Sequence, residues 1–156
     1  RDKYDNYLIL ALLIIDQSDN YEYFCHKYKT SNNIKKRFKN ISTNYENIKN
    51  SKFFSKKNIK KLIYFSNKDY VLDLLLFSAC INKKTNISSI EKLIEYVNAC
   101  TKPKFPISGD YLKNYGYETG QKLGKKLKFL EDKWVENDFI IDKEEVDKSL
   151  NKLSKN

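Results

Sequence analysis

The stretch KFPISGDYLKNYGYETGQKLGKKLKFLEDKWVENDF, residues 104–139, holds all four glycines of the chain, Gly109, Gly116, Gly120 and Gly124, within sixteen residues. Both prolines, Pro103 and Pro106, stand just before them. Nowhere else does the chain specify unusual backbone geometry. The pattern is a helix, a tight turn and a second helix. Pro106 fixes an extended entry, and the Ser108 hydroxyl can accept a first-turn N–H that has no intrahelical partner. Asp110 then lies where the helix dipole favours a carboxylate. Gly116 suits a left-handed position that closes the short helix, and Thr119 is placed to cap the next one, from about Gly120 to Asn137. Gly124 falls about one turn inside that helix, where glycine costs about 0.8–1 kcal/mol relative to alanine. Two explanations stand for it: close helix packing, or approach of a nucleic-acid backbone to a helix start, which Lys122, Lys125, Lys126 and Lys128 favour.

Working outward, 156 residues suffice to bury a real core, in one domain or two small packed units. Thirty basic and twenty acidic residues give a net charge of +10, which suggests a polyanionic partner, RNA or DNA ahead of an anionic membrane. Part of that bias has a compositional source, because Lys, Asn, Ile, Tyr and Phe are enriched together, as AT-rich codon usage would produce. The chain contains no methionine and begins at Arg1, so it is expected to be a fragment of a longer protein. The longest apolar run, Leu8 to Ile15, is far short of the roughly 20 residues that span a bilayer, and no signal-peptide cleavage pattern follows it. Cys25, Cys80 and Cys100 are odd in number and widely spaced, which fits a reduced, cytoplasmic protein better than a secreted one.

Few glycines and prolines with many lysines favour an all-α architecture, a bundle-like array of about seven to nine helices. Tyr4 to Ile15 is apolar nearly all round and is expected to be a buried helix. Tyr21 to Lys29 is a short second helix. From Ile34 to about Ile48, apolar residues recur every three or four positions, with Lys35, Lys36, Arg37 and Lys39 on the outer face and an interruption near Ser42. Ser55 caps Lys56 to Phe65, Tyr70 to Ile81 is the expected core helix, and Ser88 or Ser89 starts another. Asp142 to Leu153 is a charged final helix. The division expected is a body-like region over 1–82 and a tail-like region over 83–156 that carries the glycine-bearing hairpin.

Catalytic signals are sparse. His26, the only histidine, directly follows Cys25, and neighbours on a helix point about 100° apart, too far to act as a nucleophile–base pair. No Cys-x-x-Cys, second histidine or phosphate-binding glycine loop is present. Glu131-Asp132 and Glu144-Glu145 sit among lysines, as surface ion pairs do. Tyr111, Tyr115, Tyr117 and Trp134 can stack on bases, but aromatics at helical spacing are more often core; Trp134 is expected inside, and Tyr117 is balanced between the two.

The string FPISGDYL, the glycines at 116, 120 and 124, and KFLEDKWVENDF resemble the C-terminal region of bacterial tRNA nucleotidyltransferases, the CCA-adding enzymes related to poly(A) polymerases. Phe105, Pro106, Gly109, Leu112, Gly116, Gly120, Gly124, Leu127, Trp134 and Phe139 match that pattern in order. The resemblance is specific over 69–139 and loose over 8–66. It departs at Tyr117-Glu118-Thr119, where the family's turn often carries proline, and the hairpin also resembles a helix-hairpin-helix unit with a lengthened loop. The family's catalytic head holds two Mg²⁺ ions on Gly-Ser and Asp-x-Asp motifs, and its neck selects CTP and ATP with Glu-Asp followed two residues later by Arg. This chain has neither Gly-Ser nor Asp-x-Asp, and no arginine follows Glu131-Asp132.

The resemblance therefore implies an all-α body and tail that grips tRNA for an N-terminal catalytic head lying outside this chain, with Mg²⁺ and CTP or ATP bound only by that head. The parent would be a nucleotidyltransferase whose catalytic motifs this chain alone lacks, which leaves open whether the chain itself is an enzyme, and no membrane is expected as a partner. The surface expected to meet RNA comprises Lys104, Ser108, Gly116, Tyr117, Gly120, Lys122, Gly124, Lys125 and Lys126. The alternatives are a non-catalytic helical hairpin binding duplex nucleic acid, and a helical protein-interaction domain.

Overall fold

The computed structural model describes residues 6–82, 86–142, 144, 146, 147 and 150. Among the described residues the secondary structure is entirely helical, as expected: α1 (Asn6–Ile14), α2 (Asn20–Lys27), α3 (Asn32–Thr43), two 3₁₀ segments (Asn47–Lys49 and Ser51–Phe54), α4 (Lys56–Phe65), α5 (Lys68–Ile81), α6 (Ile87–Ala99), α7 (Gly109–Lys113) and α8 (Gln121–Glu136). The chain divides into two compact units, Arg1–Lys102 and Pro103–Asn156. No helix among the described residues is long and apolar enough to cross a membrane. Most of the final helix expected over 142–153 lies outside the described residues; the four described between 143 and 153 are helical.

Local chemistry sets the helix starts. Ser55 accepts the Asn58 N–H at 3.4 Å and caps α4. Asn67 accepts from the Tyr70 N–H at 2.9 Å, so α5 begins at Lys68, before the expected Tyr70. The cap of α6 is Asn86, which accepts from the Ser88 N–H at 3.0 Å, and not Ser88 or Ser89; a short amide side chain competes well for this position. Helix α3 stops at Thr43, short of the expected Ile48. The Ile48 carbonyl accepts instead from Ser78 Oγ at 2.9 Å and Asn82 Nδ2 at 3.3 Å, both beyond the middle of α5.

Helix α5 organises the first unit. It packs against α1, α3, α4 and α6, and Val71, Leu74, Leu75 and Phe77 are buried. They meet Ala11 of α1, Phe38 and Ile41 of α3, Ile59 and Ile63 of α4 and Val97 of α6 in one core. Burying each such aliphatic or aromatic side chain contributes about 1.5–3 kcal/mol.

Asp73 lies in this apolar helix and is only 5% exposed. Arg37, expected on the outer face of α3, turns inward to it: Nε donates to Oδ2 at 2.7 Å and Nη2 donates to Oδ1 at 2.6 Å. The guanidinium also lies 5.8 Å from the Tyr7 ring centroid, so one planar cation joins α1, α3 and α5. Lysine has no fork to present and would not replace it. Asp73→Ala is expected to destabilise the first unit by about 3 kcal/mol, because it leaves a half-buried guanidinium without the carboxylate it forks, whereas Arg37→Met/Asp73→Leu stays within about 1 kcal/mol of the parent. Urea unfolding followed by circular dichroism checks this; equal losses in the two variants would contradict it.

Candidate nucleic-acid interface

The second unit is built from the glycine-bearing hairpin. Ser108 caps α7, its Oγ accepting the Tyr111 N–H at 3.2 Å, and Asp110 in the first turn pairs with Lys113 at 2.9 Å. Gly116 has φ 83. Its N–H donates to the Lys113 carbonyl at 2.9 Å, and the Tyr117 N–H donates to the Leu112 carbonyl at 3.3 Å, the paired closure that ends a helix through a left-handed residue. The accompanying apolar contact is present, since Leu112 is buried and Tyr117 packs partly buried on the same cluster.

The start of α8 differs from the expectation. Its N-cap is Gly120, at φ 152, and not Thr119. This backbone favours glycine, and glycine brings no side chain, so no cap hydrogen bond forms. The first turn carries no acidic residue. The amides of Gln121, Lys122 and Leu123 therefore keep the unmet donor capacity of a helix start. Gly124 is different, because its N–H already donates to the Gly120 carbonyl at 3.2 Å.

Among the described residues nothing lies within 4 Å of a Cβ built on Gly124, so close packing against them does not explain this glycine. At about 100° per residue, Gly124 points about 160° away from Lys122 and from Lys126. Helix α8 thus separates them: Lys122 and Lys126 share one side, Gly124 and Lys128 another, and Lys125 lies between. Lys104, Lys122 and Lys125 are exposed. Lys128 is held by Asp132 at 3.0 Å and Glu131 at 3.5 Å, and its ammonium pKa is raised, chiefly by the bond to Asp132.

The aromatic residues divide. Trp134 is 3% exposed and sits as expected in a core, with Phe105 at 5.3 Å and Phe139 at 4.9 Å between ring centroids. Tyr111 donates its hydroxyl to Asp147; that bond first, then burial, raises its pKa. The same carboxylate raises the Tyr115 hydroxyl. Both rings belong to the internal packing of the unit. Sequence reasoning missed Phe129, half exposed, with Lys126 and Lys133 ammonium groups 5.5 and 4.7 Å from its centroid. It borders a half-open cleft of about 440 Å³ along the C-terminal half of α8. The spacing Lys126, Phe129, Lys133 is a helical i, i+3, i+7 set, the signal that could have found it. In the first unit, His26 is exposed while the adjacent Cys25 is buried, so they do not share a site.

A family model described as tRNA nucleotidyltransferase domain 2 matches residues 3–148, nearly the whole chain. The chain belongs to this family. Among curated proteins it is similar to the CCA tRNA nucleotidyltransferase 1, mitochondrial, of Danio rerio, 33% identical over 55 residues. That match covers 35% of this chain and 13% of the relative. No solved structure matches the chain.

In this domain Gly116 and Gly124, both exposed, should respond oppositely to alanine. Gly116→Ala is expected to cost about 1 kcal/mol, because its backbone is left-handed. Gly124→Ala is expected to gain about 0.5–1 kcal/mol, because it lies in open helical backbone. Thermal unfolding of the two variants measures both; a loss at 124 would mean that a neighbour occupies that face.

Proposed function

We propose that this domain is the tRNA-gripping body and tail of a tRNA nucleotidyltransferase, holding tRNA so that its 3′ end reaches a catalytic head outside this chain, where CCA is added. Membership of the family supports the enzyme class. The observation that carries the gripping role is the start of α8, where a helix start without a side-chain cap, a first turn without a carboxylate and exposed lysines converge. Helix starts of this kind accept phosphate. In this reading Lys122 and Lys125 contact the RNA backbone beside the Gly120 turn, with Lys104, Ser108, Gly116, Tyr117 and Lys126 bordering the same hairpin. Gly124 leaves one flank of α8 without a side chain, so that backbone can lie close against it. Recognition rests on shape and charge, as is usual for duplex RNA.

Mg²⁺ and CTP or ATP are assigned to the head. That assignment rests on the sequence, which holds neither the Gly-Ser nor the Asp-x-Asp motif.

Gly124→Leu is expected to weaken tRNA binding by about tenfold while the domain stays folded, and Gly124→Ala by less. Filter binding with a tRNA transcript, alongside circular dichroism, checks this. Unchanged affinity in a folded Gly124→Leu variant would remove that flank of α8 from the interface.

A further inference from the structure

The charge of the chain is not spread evenly. Residues 32–65 contain ten basic side chains and one acidic, Glu46, whereas all the other residues together contain twenty basic and nineteen acidic. Nearly the whole net charge of +10 therefore lies in α3, the two 3₁₀ segments and α4. The hairpin stretch 104–139 carries seven basic and six acidic residues and is close to neutral. A codon bias toward lysine would enrich it everywhere, as it does, but would not strip carboxylates from one segment.

Helix α4 shows what this segregation builds. Ile59 and Ile63 face the core, 0% and 1% exposed. Lys56, Lys60, Lys57 and Lys61 fan over an arc of about 140° beside them, at about 100° per residue. Lys52 on the preceding 3₁₀ segment, Lys56 and Lys57 are exposed, and Lys60 and Lys61 are half-buried. Among the described residues, none of Lys52, Lys56, Lys57 and Lys61 pairs with a carboxylate. Tyr64 lies within the same arc, and Phe65, 63% exposed, closes it. The arrangement works against the helix: Lys56 and Lys57 occupy its first turn, where the dipole disfavours cations, and Lys56–Lys60 and Lys57–Lys61 are like-charge pairs at i, i+4. No acidic residue relieves that first turn. A bound polyanion would.

We infer that α4 and the 3₁₀ segment before it form a second RNA-backbone contact surface, on the first unit, through Lys52, Lys56, Lys57 and Lys61. This rests on the reading that the domain binds RNA, but not on the hairpin. A lipid surface fits less well, because Ile59, Leu62 and Ile63 of α4 are spent in the core and Phe65 alone makes no stripe to insert.

The test compares two double variants of the full chain, Lys57→Gln/Lys61→Gln on α4 and Lys122→Gln/Lys126→Gln on α8, titrated with a tRNA transcript between low and physiological salt and with phosphatidylserine vesicles. The α4 pair is expected to lose about tenfold in tRNA affinity at physiological salt, and the slope of log K against log salt is expected to become shallower by about 1–2. Its melting temperature should stay level or rise, because like-charge pairs are removed. Unchanged affinity and slope in a folded α4 variant overturns the inference whatever the α8 pair does. Loss confined to the α8 pair supports the hairpin alone, and loss confined to the α4 pair supports this surface while sinking the hairpin. Absence of saturable tRNA binding by the unaltered chain, or an α4 variant that loses only vesicle binding, also overturns it.

Discussion

Helix α5 is nearly encircled, and its burial constrains everything around it in the first unit. A helix packed against four others can carry one carboxylate only if a cation reaches it in good geometry, since an uncompensated buried charge costs several kcal/mol. Arg37 supplies that cation from α3, thirty-six residues earlier in the chain, as a two-pronged hydrogen-bonded fork. The fork sets the register of α3 on α5, and the Tyr7 ring beside it ties in α1. At the other end of α5, Ser78 and Asn82 take the Ile48 carbonyl out of helical pairing. That bond anchors the first 3₁₀ segment to the C-terminal end of α5.

The second unit obeys a different constraint, that of backbone handedness. Two glycines with positive φ bracket the turn between α7 and α8, one closing a helix with a paired hydrogen-bond motif and the other opening a helix without a cap. The first choice stabilises the fold. The second meets the positive φ of the turn and leaves the helix start without a side-chain cap. With Gly124 exposed in open helical backbone, α8 gives up helix stability at two points in its first turn and a half, which is the pattern expected where local rules yield to function.

Much of the fold was legible from local chemistry. The Ser55 and Ser108 caps, the left-handed Gly116, the apolar α5 and the inward Trp134 follow from side-chain hydrogen bonding, steric allowance and periodicity, all properties of short windows. What escaped was long-range or competitive. Arg37 belongs by spacing to a lysine-rich outer face, and only the distant Asp73 draws it inward. Asn86 and Asn67 win helix starts from neighbouring candidates, and Gly120 displaces Thr119 because the turn geometry needs a positive φ. In the candidate interface, the lysines around Gly124 look contiguous in sequence, but the helical repeat places Lys122 and Lys126 on a different side. The basic stretch 32–65 was hidden by a composition rich in lysine throughout, and becomes visible only when carboxylates are counted as well.

The central claim, that this family domain is shaped to hold tRNA, is tested most directly by competition. The unaltered chain, bound to labelled tRNA at physiological salt, is challenged with unlabelled tRNA and with duplex DNA of equal phosphate number. The account predicts that tRNA displaces the label at least about tenfold more effectively than DNA and that the preference persists as salt rises. Equal displacement by both, falling steeply with salt, would show only generic attraction between lysines and phosphates and would contradict the account.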